Sequence, residues 1–205
     1  MILALAVGCG PSAAAPDAVP DRGVADAAAG ATPTPPARGV DRPAPAATAG
    51  TPTSQTTTFV PTILTLPSGD ANAVDPAGVG ADGVLQVPED GSRVGWWTGG
   101  ALAGEPFGSI VLAGHVDSRD YGLGTMLELL DVNVGDRVEL GDGVHRQGYQ
   151  ISAITQVPKS RLAADTEAFR QDVDNRLVLI TCVGPYDREA GGYPDNLVVI
   201  ADEVG

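Results

Sequence analysis

The chain has 205 residues, of which 26 are acidic and 12 are basic, so its formal net charge is −14 at pH 7. This acidity excludes a nucleic-acid partner, because few cations are available to neutralise phosphates. The length allows one or two domains, but the composition changes sharply near residue 60, and only the second part has the apolar patterning of a globular fold. One globular domain is therefore expected.

Residues 1–9 form a short apolar run, MILALAVGC, that resembles the end of a bacterial lipoprotein signal. In such signals a small residue, here Gly8, precedes a cysteine that is lipidated after cleavage, here Cys9. No basic residue precedes the run, and it is too short to cross a bilayer. A truncated signal peptide or membrane anchor, in which Cys9 is incidental, is an equally good interpretation.

Residues 10–58 are predicted to form a disordered tether. They are dominated by Ala, Pro, Thr, Gly and Asp, and they show no apolar period that would drive burial of a core. Pieces such as TPTPPARG favour extended, polyproline-like conformations. This composition suits a cell-envelope spacer that holds the domain at 59–205 away from an anchor.

From residue 59 onward, short β-rich segments alternate with Gly, Asp and Pro, which predicts an all-β domain. The seven predicted strands are FVPTILTL, GVLQVP, GSIVLAGHV, DRVELG, GYQISAITQV, RLVLITCV and NLVVIADEV. Several are continuous apolar runs, as expected where the barrel interior covers one face and packed loops cover the other. The pattern therefore predicts a closed or nearly closed β-barrel.

The intervening segments contain little helix. GTMLELLDV has apolar residues at helical spacing, and AADTEAFRQDV follows a polar cap, so one or two short helices are predicted. GDGVHRQG predicts a hairpin turn, because Asp142 and Gly143 supply the positive φ of a tight turn, and His145 in this turn is predicted to be exposed. With two histidines and two cysteines the chain lacks the spacing of a metal site, so neither a metal nor an organic cofactor is expected.

Two segments place a reactive side chain at the end of an apolar strand. SIVLAGHVDSRDYG presents His115 after Gly114, and RLVLITCVGPYD presents Cys182 after Thr181. If Cys9 lies in a leader or carries lipid, Cys182 has no disulfide partner, and a lone thiol in an exported protein points to reactivity. Brought together, the thiolate could attack a carbonyl and the imidazole could protonate the leaving amine.

Each residue alone has a simpler explanation. A single cysteine after an apolar run is more often a small buried hydrophobe, and a single loop histidine is usually a polar surface residue. The residues themselves therefore give an enzyme only a modest preference over a β-barrel binding module.

The sequence around these residues, from about Val60 to Val204, resembles the sortase family and, within that family, the actinobacterial class F. The matching segments, in the family's order, are DGVLQVP, VGWWTGG, VLAGHVDS, GDRVEL, QVPKSRL, LVLITCVGPYD and GGYPDNLVVIA. The combination of GHVDS and LITC at strand ends with a closing YxDNxVV pattern is specific, whereas LITC alone would be weak.

The resemblance implies an eight-stranded sortase barrel and thiol transpeptidation. In that scheme Cys182 attacks a backbone carbonyl in the sorting signal of a secreted protein and forms a thioacyl enzyme, which an amine or water then resolves. His115 would protonate the departing amine and then deprotonate the incoming nucleophile. The implied partners are the sorting-signal peptide and an amine acceptor of cell-wall or pilin type.

Sortases also use an arginine near the cysteine to orient substrate and hydrogen-bond the oxyanion. Here the final strand opens with Tyr193, Pro194, Asp195 and Asn196 in place of that arginine. Arg188 is the nearest arginine after the cysteine and is assigned the role, with Asn196 as an alternative donor. Arg176 is a poorer candidate, because a fully extended strand would put it about 20 Å from Cys182.

Further substrate contacts are assigned by analogy. Thr181, Tyr186, Tyr193, Trp97 and Asn196 are the predicted substrate-binding residues, although adjacent aromatics such as Trp96 and Trp97 more often close a core. Asp117 is interpreted as a turn residue in preference to an orienting partner of His115.

The sequence thus predicts an exported enzyme at the outer face of the cytoplasmic membrane, anchored by lipid or by its N-terminal segment. Two alternatives stay open. One is an inactive sortase-like binding module of the envelope, suggested by the missing arginine, and the other is a thiol peptidase that hydrolyses without transfer. A thiol activated by His115 is expected to react with iodoacetamide faster than a model thiol near neutral pH, whereas a buried, inert Cys182 would favour the binding module.

Overall fold

Short strands separated by turns close into a barrel in the computed structural model, which describes residues 57–205 except 82, 163–165 and 190–191. The predicted lipidation site at Cys9 and the predicted tether at 10–58, apart from residues 57 and 58, lie outside the described residues.

The strands in the described part of the chain are β1 Ile63–Thr65, β2 Ala71–Ala77, β3 Arg93–Trp97, β4 Ser109–Ala113, β5 Asp117–Ser118, β6 Gly122–Leu123, β7 Arg137–Gly141, β8 Arg146–Pro158, β9 Arg176–Val183 and β10 Asp195–Val204. Eight of these strands form the barrel, in the order β1, β2, β3, β4, β9, β10, β8, β7, and β7 pairs with β1 to close it. The predicted closed, eight-stranded all-β barrel is therefore confirmed. Strands β5 and β6 form a separate small hairpin.

The described helices are short. The two segments predicted to be helical form 3₁₀ helices at Thr125–Leu130 and Thr166–Phe169. A single turn of α-helix, α1 at Lys159–Leu162, directly follows β8. None of the helices in the described ranges is long and apolar enough to span a membrane.

The continuous apolar runs of β4, β9 and β10 arise because both faces of these strands are covered. In β9, Leu177 and Leu179 belong to the main core cluster, whereas the alternating Val178 and Ile180 belong to a second cluster. The second cluster also contains Leu162 of α1, together with Leu85 and Ala168. Helix α1 and the neighbouring loops thus cover the outer face of the strand that carries Cys182.

The segment GVLQVP does not form the barrel strand that its pattern predicts. Leu85 makes only an isolated bridge with Val79, and its side chain is buried in the second cluster with Val87 packed nearby. The predicted strand is therefore wrong. The segment is a loop whose apolar residues pack on the outer face of the barrel.

The predicted hairpin turn joins β7 to β8, and Gly143 has φ of +93°. His145 is less exposed than expected, because its ring stacks on Phe59 at a centroid distance of 5.8 Å and its Nδ1 lies 2.9 Å from Oδ2 of Asp142. Hydrogen bonds from the side chain and backbone of His145 lower the pKa of Asp142 to about 2. His145 therefore has a structural role in the hairpin turn.

Candidate active site

The strand register brings His115 and Cys182 to the same end of the barrel. Strands β4 and β9 are neighbouring parallel strands, and Ala113 is paired with Ile180. His115 and Cys182 each lie two residues beyond this pair, on strands about 4.8 Å apart. Parallel neighbours deliver equivalent positions to the same edge of a sheet, so the two candidate residues lie at the same edge although they are far apart in sequence.

Two hydrogen bonds hold the ends of these strands together beyond the regular ladder. The backbone N–H of Gly114 donates to the carbonyl of Ile180 at 3.2 Å, and the hydroxyl of Thr181 donates to the carbonyl of Gly114 at 3.0 Å. Thr181 is buried, so this bond is protected from water. It fixes the residue before His115 against the residue before Cys182.

The backbone of His115 is also held from the other side by the 3₁₀ helix Thr125–Leu130. The N–H of Met126 donates to the carbonyl of His115 at 3.2 Å. Gly124 precedes this helix in an extended conformation, with φ of −96°, and a Cβ built there would lie only 2.2 Å from the carbonyl oxygen of His115. Gly124 is therefore required by close packing against the histidine and not by an unusual φ.

If acyl transfer takes place at His115 and Cys182, as the sequence predicts, replacing Gly124 with Ala should lower it by about 100-fold or more, since a shift of about 1 Å in a catalytic group has an effect of this size. The added methyl must displace the His115 backbone, while the barrel strands remain paired. Gly78→Ala is the matched control, because a Cβ at Gly78 meets nothing within 4 Å. The measurement is kcat/KM with a peptide substrate beside the thermal midpoint, and equal kcat/KM for the two variants would contradict the steric argument.

A cavity of about 420 Å³ opens between the strand ends and the β9–β10 loop. Its lining includes the imidazole of His115, the thiol of Cys182, one carboxylate, three lysine or arginine side chains and two phenols. The lining residues are His115, Val116, Asp117, Ser118, Arg119, Lys159, Cys182, Tyr186, Arg188, Gly192 and Tyr193. The imidazole of His115 and the thiol of Cys182 therefore line the same cavity.

The thiol of Cys182 is shielded, with the residue only 7% exposed. Burial raises its pKa, and the carboxylate of Asp117 acts in the same direction, while the positive charge of Lys159 lowers the pKa. The balance is a raised pKa, so the neutral thiol dominates at neutral pH. This environment argues against the fast alkylation expected from the sequence.

Two side chains that line the cavity, Tyr193 and Asp117, are joined by a hydrogen bond. The phenol of Tyr193 donates to Oδ2 of Asp117 at 2.9 Å, and its ring meets Tyr186 edge to face at a centroid distance of 5.3 Å. Burial, the hydrogen bond to Asp117 and its charge raise the pKa of Tyr193, so the phenol remains a donor. Asp117 thus contacts Tyr193, and in the described part of the chain it makes no hydrogen bond to His115.

The structure separates the two arginines considered from the sequence. Arg188 is exposed and lines the cavity. Arg176 lies at the far end of β9, where it donates to Oγ of Ser109 at 3.0 Å and to the carbonyl of Glu167. Its side chain supports the 3₁₀ helix Thr166–Phe169 and is remote from the thiol.

Asn196 lies directly opposite Cys182, because these residues are paired between β10 and β9. Opposed residues in an antiparallel pair point to the same face, so the two side chains are neighbours. Asn196 is 5% exposed, so it is buried beside Cys182.

Three of the predicted substrate residues stand outside the described lining of the cavity. Thr181 is bonded to Gly114, Asn196 is buried between strands, and Trp97 packs edge to face on Phe169 at 5.7 Å. Tyr186 and Tyr193 do line it. Lys159 also lines the cavity, although its segment QVPKSRL indicates only the end of a strand in the sequence.

Within the described residues, no group of three or more His, Cys, Asp or Glu side chains is placed to hold a metal ion. The chemistry available in the cavity is that of a thiol, an imidazole, a carboxylate and several cations.

The fold is similar to those of several solved proteins. Sortase C-1 from Actinomyces oris has 22% identity over 70% of this chain and 71% of that protein, with a TM-score of 0.53. Sortase A from Corynebacterium diphtheriae has 22% identity over 73% of this chain and 62% of that protein, with a TM-score of 0.54. Sortase C1 from Streptococcus agalactiae has 20% identity over 70% of this chain and 66% of that protein, with a TM-score of 0.53. At these identities the likeness shows the fold alone.

A search of the curated proteins gave no match. A family model described as the sortase domain matches residues 64–204, which is most of the chain and nearly all of the barrel. The chain belongs to the sortase family.

Proposed function

We propose that this sortase is a cysteine transpeptidase in which Cys182 is the nucleophile and His115 is the proton-transfer group. The Cys182 thiol passes its proton to His115, its sulfur attacks a peptide carbonyl of the sorting signal, the C–N bond breaks, and the departing amine takes that proton from His115. An incoming amine then attacks the thioester and loses a proton to His115. The Cys182 sulfur leaves and takes this proton back, which restores the starting thiol and imidazole.

The observation that carries this proposal is the register of β4 and β9, which supports a shared cavity for His115 and Cys182. Members of the family are cysteine transpeptidases that act on sorting-signal peptides and on amine acceptors such as pilin, and they are generally associated with the cell envelope. The same partners and an extracytoplasmic location, with attachment through the N-terminal segment or a lipid on Cys9, are proposed for this chain.

Finer assignments also belong to the proposal. Arg188 is proposed to orient the substrate and hydrogen-bond the oxyanion, since it is an exposed cation on the cavity wall. Tyr186 and Tyr193 are proposed to contact the sorting signal from the β9–β10 loop. Thr181, Trp97 and Asn196 stay predictions as substrate contacts. The GHVDS, LITC and YxDNxVV motifs support membership of class F.

Transfer and hydrolysis are distinguished by the fate of the acyl group. Incubation with a sorting-signal peptide and an excess of a primary amine should give mainly the amine-capped peptide, measured by mass spectrometry against the free acid. If the free acid predominates at every amine concentration, the protein is a thiol peptidase that hydrolyses its substrate. Cys182→Ala, which should give neither product, controls for background proteolysis.

A noncatalytic envelope binding module is the second candidate, and the 7% exposure of Cys182 favours it. In that case the cavity would bind sorting-signal peptides and leave their bonds intact. Peptide binding by calorimetry with no product and no adduct on Cys182 would support this candidate over the transpeptidase.

A further inference from the structure

The cavity holds a cation, Lys159, whose place there is not evident from the sequence pattern. Three strands in the order β8, β10 and β9 place it near the nucleophile, because Asn196 of β10 is paired with Val157 on one side and with Cys182 on the other. Lys159 follows two residues after Val157, at the end of the strand. Val157 and Cys182 are about 10 Å apart across β10, a span that the long lysine side chain can largely cover.

The backbone of Lys159 is held in place. Its N–H donates to the carbonyl of Pro194 at 3.0 Å, immediately before β10. Helix α1 is anchored by Leu162, which is 2% exposed within the second core cluster. Lys159 itself is half-buried, whereas Arg119 and Arg188, the other cationic side chains beside His115 in the cavity, are exposed loop residues. Its position is therefore the best defined of the three.

We propose, on the basis of the transpeptidase function proposed above, that Lys159 is a catalytic cation that faces the sulfur of Cys182 and stabilises the attacking thiolate. Lys159 thus supplies positive charge beside the nucleophile in a chain whose last strand opens without arginine. Arg188 remains free to contact the substrate at the mouth.

The charges around the sulfur agree with this role. The groups that face the cavity from its several elements are His115, Asp117, Arg119, Lys159, Tyr186, Arg188 and Tyr193. Of these, Lys159 is the cation that lowers the pKa of the Cys182 thiol, opposing the effects of burial and of Asp117. A cation that shares a cavity with a thiol favours the charged form of that thiol, and here it partly offsets the desolvation of a buried thiolate.

The test is the pH dependence of iodoacetamide alkylation at Cys182, measured by intact mass on the wild-type chain and three variants. Lys159→Met keeps the length of the side chain and removes its charge, and Lys159→Arg restores a charge. Arg161→Met removes a charge from an exposed position on the same helix and is the matched control. Thermal unfolding confirms that each variant is folded.

Lys159→Met should raise the thiol pKa by about one unit or more, which lowers alkylation near pH 7 about tenfold. Lys159→Arg should lie close to wild type, and Arg161→Met should coincide with it. A Lys159→Met profile that overlays that of the wild type would overturn the proposal, as would an equal shift in Arg161→Met. If Lys159→Met is unfolded, an unshifted Lys159→Gln profile would overturn it equally.

Alkylation needs no substrate, so the role of Lys159 can be tested separately from the transpeptidase function. A shifted profile without acyl transfer by the wild type would end the transpeptidase and leave the Lys159–Cys182 pair in place. Acyl transfer with an unshifted profile would leave the transpeptidase and end the role of Lys159.

Discussion

Replacing Cys182 with Ala should abolish both the thioacyl adduct and peptide transfer, reducing kcat by several orders of magnitude to background. The covalent route has no substitute for this sulfur, because Cys182 is the sole free cysteine in the described part of the chain. Removing the nucleophile of a comparable catalytic unit costs about 10⁶-fold in kcat. Product formation by mass spectrometry, with the same peptide and amine used for the wild type, measures the effect.

The barrel should survive this substitution. Cys182 is buried at the end of β9, and loss of one sulfur atom leaves the pairing of β9 with β4 and β10 unchanged. Peptide binding by calorimetry should therefore persist in Cys182→Ala with a similar dissociation constant. Retained turnover in a folded Cys182→Ala protein would contradict the proposed mechanism outright.

Replacing His115 with Ala should lower kcat/KM by about 10²–10⁴-fold, the usual contribution of a positioned general acid and base. The leaving amine then departs without a protonated imidazole beside it. Added imidazole should restore part of the activity, since the cavity of about 420 Å³ has room for the missing ring. The measurement is kcat/KM with and without imidazole, on protein shown to bind peptide normally.

His145→Ala is the matched control, because it removes the other histidine of the chain from a hairpin turn where the ring stacks on Phe59. Its kcat/KM should equal that of the wild type. Equal loss of activity in the two variants, or no loss in His115→Ala, would show that the imidazole at His115 takes no specific part in proton transfer.

Much of the barrel could be predicted because β4, β9 and β10 are apolar on both faces and are bounded by turn residues. Strands β2 and β3 were not predicted. Strand β2 contains Asp75 and Pro76, and proline normally argues against a strand. It is tolerated here because β1 pairs only with Ala71–Ala73, so the second half of β2 has β3 as its partner on one side alone.

The site could be predicted in part. His115 and Cys182 each end an apolar strand, which is a pattern visible in sequence, but their meeting depends on the parallel register of β4 and β9. The sequence does not show that Lys159 lies near Cys182. Lys159 follows β8 and Cys182 lies on β9, and the two come close because β10 pairs with both strands. The sequence left open whether the thiol of Cys182 is buried or accessible, since its burial depends on packing around the strand end.

The proposed thioacyl mechanism is tested most directly by intact-mass analysis of the protein after incubation with a library of sorting-signal peptides and rapid acid quenching. We expect a mass increase equal to the N-terminal fragment of a cleaved peptide, located on Cys182 by peptide mapping and absent from Cys182→Ala. Peptides that bind without forming any adduct, on a protein whose Cys182 still reacts with iodoacetamide, would contradict this mechanism and identify the cavity as a binding site.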